Sequence, residues 1–149
     1  MTGFPQVERD EASAAFYDAA ARGELLVQRG PSGTVLPPEA RTDPADGSAA
    51  LEPVIASGDG TLVSWAVVHR APLPVLAAAV PYVSAVVELA EGPWVIVRLV
   101  GDTSSLTAGA PVRARFVGSG DPDAPGETVP VFEPVAVATT RPGPKRRTS

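Results

Sequence analysis

The stretch PYVSAVVELAEGPWVIVRLV, residues 81–100, decides the fold. Across Tyr82–Leu89, the apolar residues Val83, Ala85, Val87 and Leu89 fall on one face, the two-residue period of a strand lying on a core. Glu91-Gly92-Pro93 makes a tight turn. Trp94–Val100 then repeats the pattern, with Val95, Val97 and Leu99 on one face and Arg98 on the other. Working outward, the same period recurs. Thr61–Arg70 (TLVSWAVVHR) is a β-branched and aromatic run after the turn signal SGDG. Val112, Ala114 and Phe116 alternate with Arg113 and Arg115, and Thr128–Phe132 reads as a last strand. Residues 101–110 read as a loop and Gly118–Gly126 as a turn. Strands in this number and at this spacing predict a small antiparallel barrel.

Upstream the character differs. Val7–Gly23 is rich in Ala, Glu and Arg and reads as a helix, with Ala12, Ala15, Phe16 and Ala19 as a thin apolar stripe and Gly23 as its C-terminal glycine. Glu24–Arg29 reads as a short strand. Gly30–Pro53 is dominated by Pro, Gly, Ala, Ser and Asp, shows no period, and is expected to be an irregular loop. Residues 139–149 (TTRPGPKRRTS) form a polar, basic, proline-containing end, expected to be disordered; an electrostatic contact with an acidic partner is the alternative.

With 149 residues and 44% hydrophobic content, the chain can bury one core. Seventeen prolines and fourteen glycines favour short strands and turns. A net charge of −5 argues against a nucleic-acid backbone as the main partner. No cysteine is present, which excludes disulfides and thiolate metal sites. No signal-peptide pattern opens the sequence, and no apolar run reaches the ~18–20 residues of a membrane span. A cytoplasmic protein without membrane association is therefore expected.

The order of these pieces resembles the DUF35 family, acyl-CoA-associated proteins with an N-terminal helix, a rubredoxin-like zinc ribbon and a C-terminal OB-fold barrel. Four stretches carry the resemblance: FYDAAARGELLVQR (16–29), the Pro37-Pro38 pair, SGDGTLVSWAVVHRAP (57–72) and PYVSAVVELAEGP (81–93), the last followed by a strand and a return through PVRARF. It implies a mainly β protein: a helix and first strand over 1–29, a degenerate ribbon loop over 30–53, a five-stranded OB-fold barrel over 54–136 and a basic tail over 137–149. Family ribbons hold zinc through two cysteine pairs, and the matching positions here fall near Gly30 and Gly33, Thr42 and Ala45. None can bind zinc, so no metal and no other cofactor are expected. The resemblance further implies a non-catalytic accessory subunit in a hetero-oligomer. Its partner would be a thiolase-like acyl-CoA enzyme (an aldolase or condensing enzyme) of lipid or steroid metabolism. A MaoC-type enoyl-CoA hydratase as partner, or a stand-alone acyl-CoA binding module, is the alternative.

No catalytic residue stands out. His69 is the only histidine, and without a visible nucleophile beside it, it reads as a strand residue near the barrel rim. Arg70, Arg98, Arg113 and Arg115 are candidate contacts for the phosphates of CoA, because guanidinium groups bind phosphate bidentately; solvated strand charge that protects barrel edges is the competing and favoured reading. Trp65 is expected to pack in the core with Val63 and Val67, and Trp94, beside a turn, to be more exposed. Phe16 and Tyr17 are adjacent on the first helix and cannot both face the same way, so one is expected to meet a partner. Phe16, Tyr17 and Trp94 are thus the candidate partner interface. Elemental analysis of the purified chain is expected to return no stoichiometric zinc; one zinc per chain would overturn the reading of the ribbon.

Overall fold

The computed structural model describes residues 4–135; the basic tail read over 137–149 lies outside the described residues. The fold is mainly β, with a closed five-stranded OB-fold barrel and one short helix before it. Helix α1 spans Ala14–Ala21. A small antiparallel sheet follows, built from β1 (Leu25–Arg29), β2 (Val35–Leu36) and β3 (Glu52–Ala56) in the order β2-β1-β3. The barrel consists of β4 (Asp59–Val68), β5 (Tyr82–Leu89), β6 (Trp94–Leu99), β7 (Pro111–Asp121) and β8 (Ala124–Pro134), ordered β4-β5-β6-β8-β7.

The central hairpin folds as its alternation dictates. Val83, Ala85, Val87 and Leu89 of β5 are buried, and β6 pairs with β5 from Glu88↔Trp94 to Val83↔Leu99. Leu62, Leu99, Val112 and Phe132 complete the barrel interior, and Leu25, Val27 and Ala56 of the small sheet join the same cluster. Full burial of a side chain the size of Phe132 contributes about 2–3 kcal/mol.

Three expectations need correction. The helix is shorter than Val7–Gly23, because Asp10 ends the extended approach: its Oδ1 accepts the Ser13 N–H (2.8 Å) and hydroxyl (2.7 Å), closing a turn before α1. Residues before it run along the barrel as an arm. Phe4 O accepts the Gly120 N–H, Val7 O accepts the Glu127 N–H, and the Val7 N–H donates to Ser119 Oγ at 3.0 Å. The buried helix face is Ala19 and Ala20, with half-buried Phe16, while Ala12 and Ala15 are exposed. Gly23 does end the helix in a left-handed conformation, φ 77°.

Second, Gly118–Gly126 is not a turn but the end of a long β7–β8 hairpin whose loop is only residues 122–123. A register shift between Gly118 and Gly120 absorbs the twist there. Buried Ser119 donates its hydroxyl to Glu127 O (2.7 Å), which ties hairpin and arm together.

Third, residues 30–53 are irregular only in part: 37–51 carry no strand, but the flanking residues do. They hold β2 and the start of β3, and Val54–Ala56 pair with β1 instead of entering the barrel. The organiser is Asp43, a fully buried carboxylate. Its Oδ2 accepts the Ser32 hydroxyl (2.5 Å) and the Ser32 N–H (3.1 Å), and its Oδ1 accepts the Ala45 N–H (2.9 Å). The turn Gly30–Gly33 is thereby stapled to the turn Asp43–Gly47. Gly30 is required by this contact, since a Cβ there would overlap the Asp43 carboxylate.

The Ser32 hydroxyl bond, aided by the Ala45 and Ser32 N–H groups, holds the Asp43 pKa below the ordinary carboxylate value against the opposing effect of burial. A depressed folded-state pKa stabilises above the unfolded carboxylate pKa of about 3.9, and that stabilisation is lost as pH falls through the folded value. Asp43→Ala is expected to lower the midpoint of thermal unfolding at pH 7 by about 5 °C, with a smaller loss for Asp43→Asn. The gap between wild type and Asp43→Ala should narrow as pH falls below the unfolded carboxylate value and the carboxylate is protonated. Unchanged melting of Asp43→Ala at pH 7 would exclude the staple.

Candidate functional site

A groove of about 1070 Å³ is lined by β6 along its length and by Pro130 and Phe132 of β8. The register of these two strands explains the lining. β6 and β8 run parallel but pair only at Leu99↔Phe132. The next ladder position along β8 would be Pro130, which has no N–H to donate. Pairing stops there, and Pro130 lines the groove. Its floor is the outer face and open edge of β6, with Val86 and Ser84 of β5 alongside. Phe16 of α1, Leu25 and Gln28 of β1 and the segment Pro38–Arg41 form the opposite wall. Trp94 and Ile96 stand in it exposed, Ile96 at 80%.

Of the four candidate phosphate-binding arginines, only Arg98 lines this groove. Its guanidinium lies 4.4 Å from the Tyr82 ring centroid and 4.5 Å from that of Phe4, a pair of cation–π contacts that pins the N-terminal arm to the β5–β6 face. Burial pulls its pKa below the ordinary arginine value. Arg113 and Arg115 lie on β7, facing Asp59 at 3.4 Å and Glu133 at 3.5 Å. Arg70 is exposed just past β4. The four therefore do not converge on one site. Arg41, not singled out in the sequence, is the other groove arginine.

Phe16 and Tyr17 are both half-buried, their rings meeting edge to face at 5.3 Å. Phe16 packs on the core and reaches the groove. Burial raises the Tyr17 pKa, with the Glu127 and Asp10 charges adding to it. Trp94 is 57% exposed. Trp65 departs from its expected core position at 38% exposure. The register shift between Leu62 and Ser64 makes Val63 the extra residue, and Trp65 then pairs with Ala85 and Val67 with Val83. Both face inward by register, but at an end of β4 that β7 no longer covers, because β4–β7 pairing stops at Thr61.

His69 is exposed, and no group of three His, Cys, Asp or Glu side chains among the described residues is arranged to hold a metal. The residues at the ribbon turns do not fit the family's tetrahedral zinc: Gly30, Gly33, Thr42 and Ala45 carry no ligand atom suited to it, and the Asp43 carboxylate is spent on Ser32 and Ala45.

A closed five-stranded barrel fronted by a ribbon-like sheet defines an OB-fold protein. Its relatives give the family. Residues 53–117 match the model of the ChsH2 C-terminal OB-fold domain. A chain of the solved Ltp2-ChsH2(DUF35) aldolase is 34% identical, with a TM-score of 0.68 covering 85% of this chain and 96% of that one. The chain belongs to the DUF35 family. A DUF35 protein of unknown function from Sulfolobus solfataricus, 14% identical with a TM-score of 0.51 over 72% of this chain and 78% of that one, shares the fold.

Two curated relatives are also similar. The 3-oxo-4,17-pregnadiene-20-carboxyl-CoA hydratase alpha subunit of Mycobacterium tuberculosis is 38% identical over 76% of this chain. A "Probable enoyl-CoA hydratase alpha subunit" of Thermomonospora curvata is 35% identical over 87%. The chain spans only 35% and 39% of the lengths of these two.

Exposure of both indoles has a direct check. Trp65→Phe and Trp94→Phe should each leave a tryptophan emission readily quenched by iodide; a shielded indole in the Trp94→Phe variant would return Trp65 to the core.

Proposed function

We propose that this chain is a non-catalytic accessory subunit that docks on and supports a thiolase-like acyl-CoA enzyme, an aldolase or condensing enzyme. The observation that carries the reading is the 34% identity, over nearly the whole of the matched chain, to a component of the Ltp2-ChsH2(DUF35) aldolase. The site geometry supports it. Acyl-CoA chemistry needs a nucleophile or base with an orienting partner, and His69 has no such company in the described structure. The partner supplies that chemistry, and this chain supplies surface. The reading places the complex in the cytoplasm, as a hetero-oligomer acting on lipid- or steroid-derived thioesters. No helix among the described residues is long and apolar enough to cross a membrane.

A second reading rests on the two relatives that are hydratase alpha subunits: the partner is then a MaoC-type enoyl-CoA hydratase. The discriminating experiment is co-expression of the tagged chain with the thiolase-like and the MaoC-type proteins of its own genome. Co-purification with the thiolase-like protein is expected, together with a fall in that partner's aldolase or condensing activity when this chain is withheld. A partner that is soluble and fully active alone would sink the reading, and exclusive capture of the hydratase would select the second one.

A further inference from the structure

The β6 edge is unusual for a barrel strand. The Leu89 N–H bonds to Pro93 O, which sets the alternation of the β5–β6 ladder: Val95, Val97 and Leu99 direct their backbone groups to β5, and Trp94 and Ile96 direct theirs away from it. The Val100 N–H, of the same parity, reaches Phe132 O, as this alternation requires. Further down, Pro130 has no N–H for the Ile96 carbonyl, so among the described residues β8 offers that carbonyl no ladder donor. An open strand edge, an isoleucine 80% exposed and a tryptophan 57% exposed thus occur together on the floor of one groove. An unpaired edge of this kind is a template for another strand, and an apolar pair this exposed on one strand face is a surface awaiting cover. Arg41 stands on the wall, exposed and in no ion pair among the described residues.

We infer that this groove receives an extended segment of the partner enzyme, which adds beside β6 as a short strand, covers Trp94 and Ile96 with apolar side chains and sets a carboxylate against Arg41. This mode of recognition draws affinity from main-chain hydrogen bonds and specificity from alternate side chains. The inference rests on the accessory-subunit reading and locates its interface. It assigns the Pro38–Arg41 segment, which lines the groove, a role in holding the added strand.

The test uses the full chain and the enzyme partner identified by co-expression. Ile96→Lys leaves the core untouched and should melt as wild type does, yet bind the partner roughly tenfold or more weakly. Arg41→Glu should weaken binding by a smaller factor. Leu73→Lys, at an apolar site outside the groove that is as exposed as Trp94, should bind as wild type does. In hydrogen exchange, the amides of Trp94 and Ile96, which point away from β5, should slow on complex formation, which a contact through side chains alone would not produce.

Full binding by Ile96→Lys with a wild-type complex overturns the inference and leaves the accessory role standing. Loss with Leu73→Lys instead moves the interface to the Pro74–Leu76 end and also overturns it. Equal protection of the Trp94 and Ile96 amides by octanoyl-CoA without enzyme would make the groove an acyl site and end the proposal. Absence of any complex with wild type removes the accessory reading, and this inference with it.

Discussion

Closure of the barrel depends on one parallel bridge, Leu99 beside Phe132. Phe132 is fully buried at the centre of the core, and its carbonyl accepts the Val100 N–H at 2.8 Å, so the bridge fixes β8 against β6 at one end only. The long β7–β8 hairpin and the β4–β7 pairing then follow from where Phe132 is held. At the other end Pro130 forbids the next ladder bond, and the two strands part. What fills the space is not barrel at all: Phe16 of the helix and Leu25 of the first strand pack there against the core. The groove is the remainder of that imperfect filling. A single residue without an N–H therefore shapes both the barrel and its candidate site.

The small sheet poses a different problem. A ribbon of this size buries little apolar area, and zinc normally supplies its folding energy. Here a buried carboxylate closes the same pair of turns with three hydrogen bonds, two to Ser32 and one to Ala45. Hydrogen bonds to a charged acceptor are among the stronger ones, but the three do not equal a tetrathiolate site. The remainder comes from the barrel, because Leu25, Val27 and Ala56 are members of its core cluster. The sheet is ordered as an extension of the barrel, not as an independent module.

Sequence reading succeeded where side-chain period carries the information. Val83, Ala85, Val87 and Leu89 announce β5, and Val95, Val97 and Leu99 announce β6, because half-buried strands cannot avoid alternating. It failed where order comes from single polar contacts between distant residues. Nothing local marks Asp43 as the centre of the ribbon, since its partners Ser32 and Ala45 are ordinary loop residues. Trp65 was misplaced because its inward period is kept while β7 stops covering β4 at Thr61, and nothing in the local pattern marks where that cover ends. The N-terminal arm was read as helix because its bonds run to Ser119, Gly120 and Glu127, more than a hundred residues on. Of the candidate site, Trp94 was legible as an exposed aromatic and Phe16 as part of the helix's apolar stripe. The engagement of Arg98 with Phe4 and Tyr82, and the position of Arg41, needed the tertiary arrangement.

These features bear on why the ribbon keeps its shape without its thiols. It also supplies part of the groove's lining: Leu25 and Gln28 of β1 and the Pro38–Arg41 segment. That lining needs the turns at Gly30–Gly33 and Asp43–Gly47 held in place, and it makes no use of a metal's charge or ligand exchange. Any interaction that fixes the turns meets the requirement. A carboxylate does so with acceptor geometry alone, provided glycine stands at position 30 to admit it. Gly30 is then a structural part of the staple: the close approach of the Asp43 carboxylate demands the absence of a side chain there.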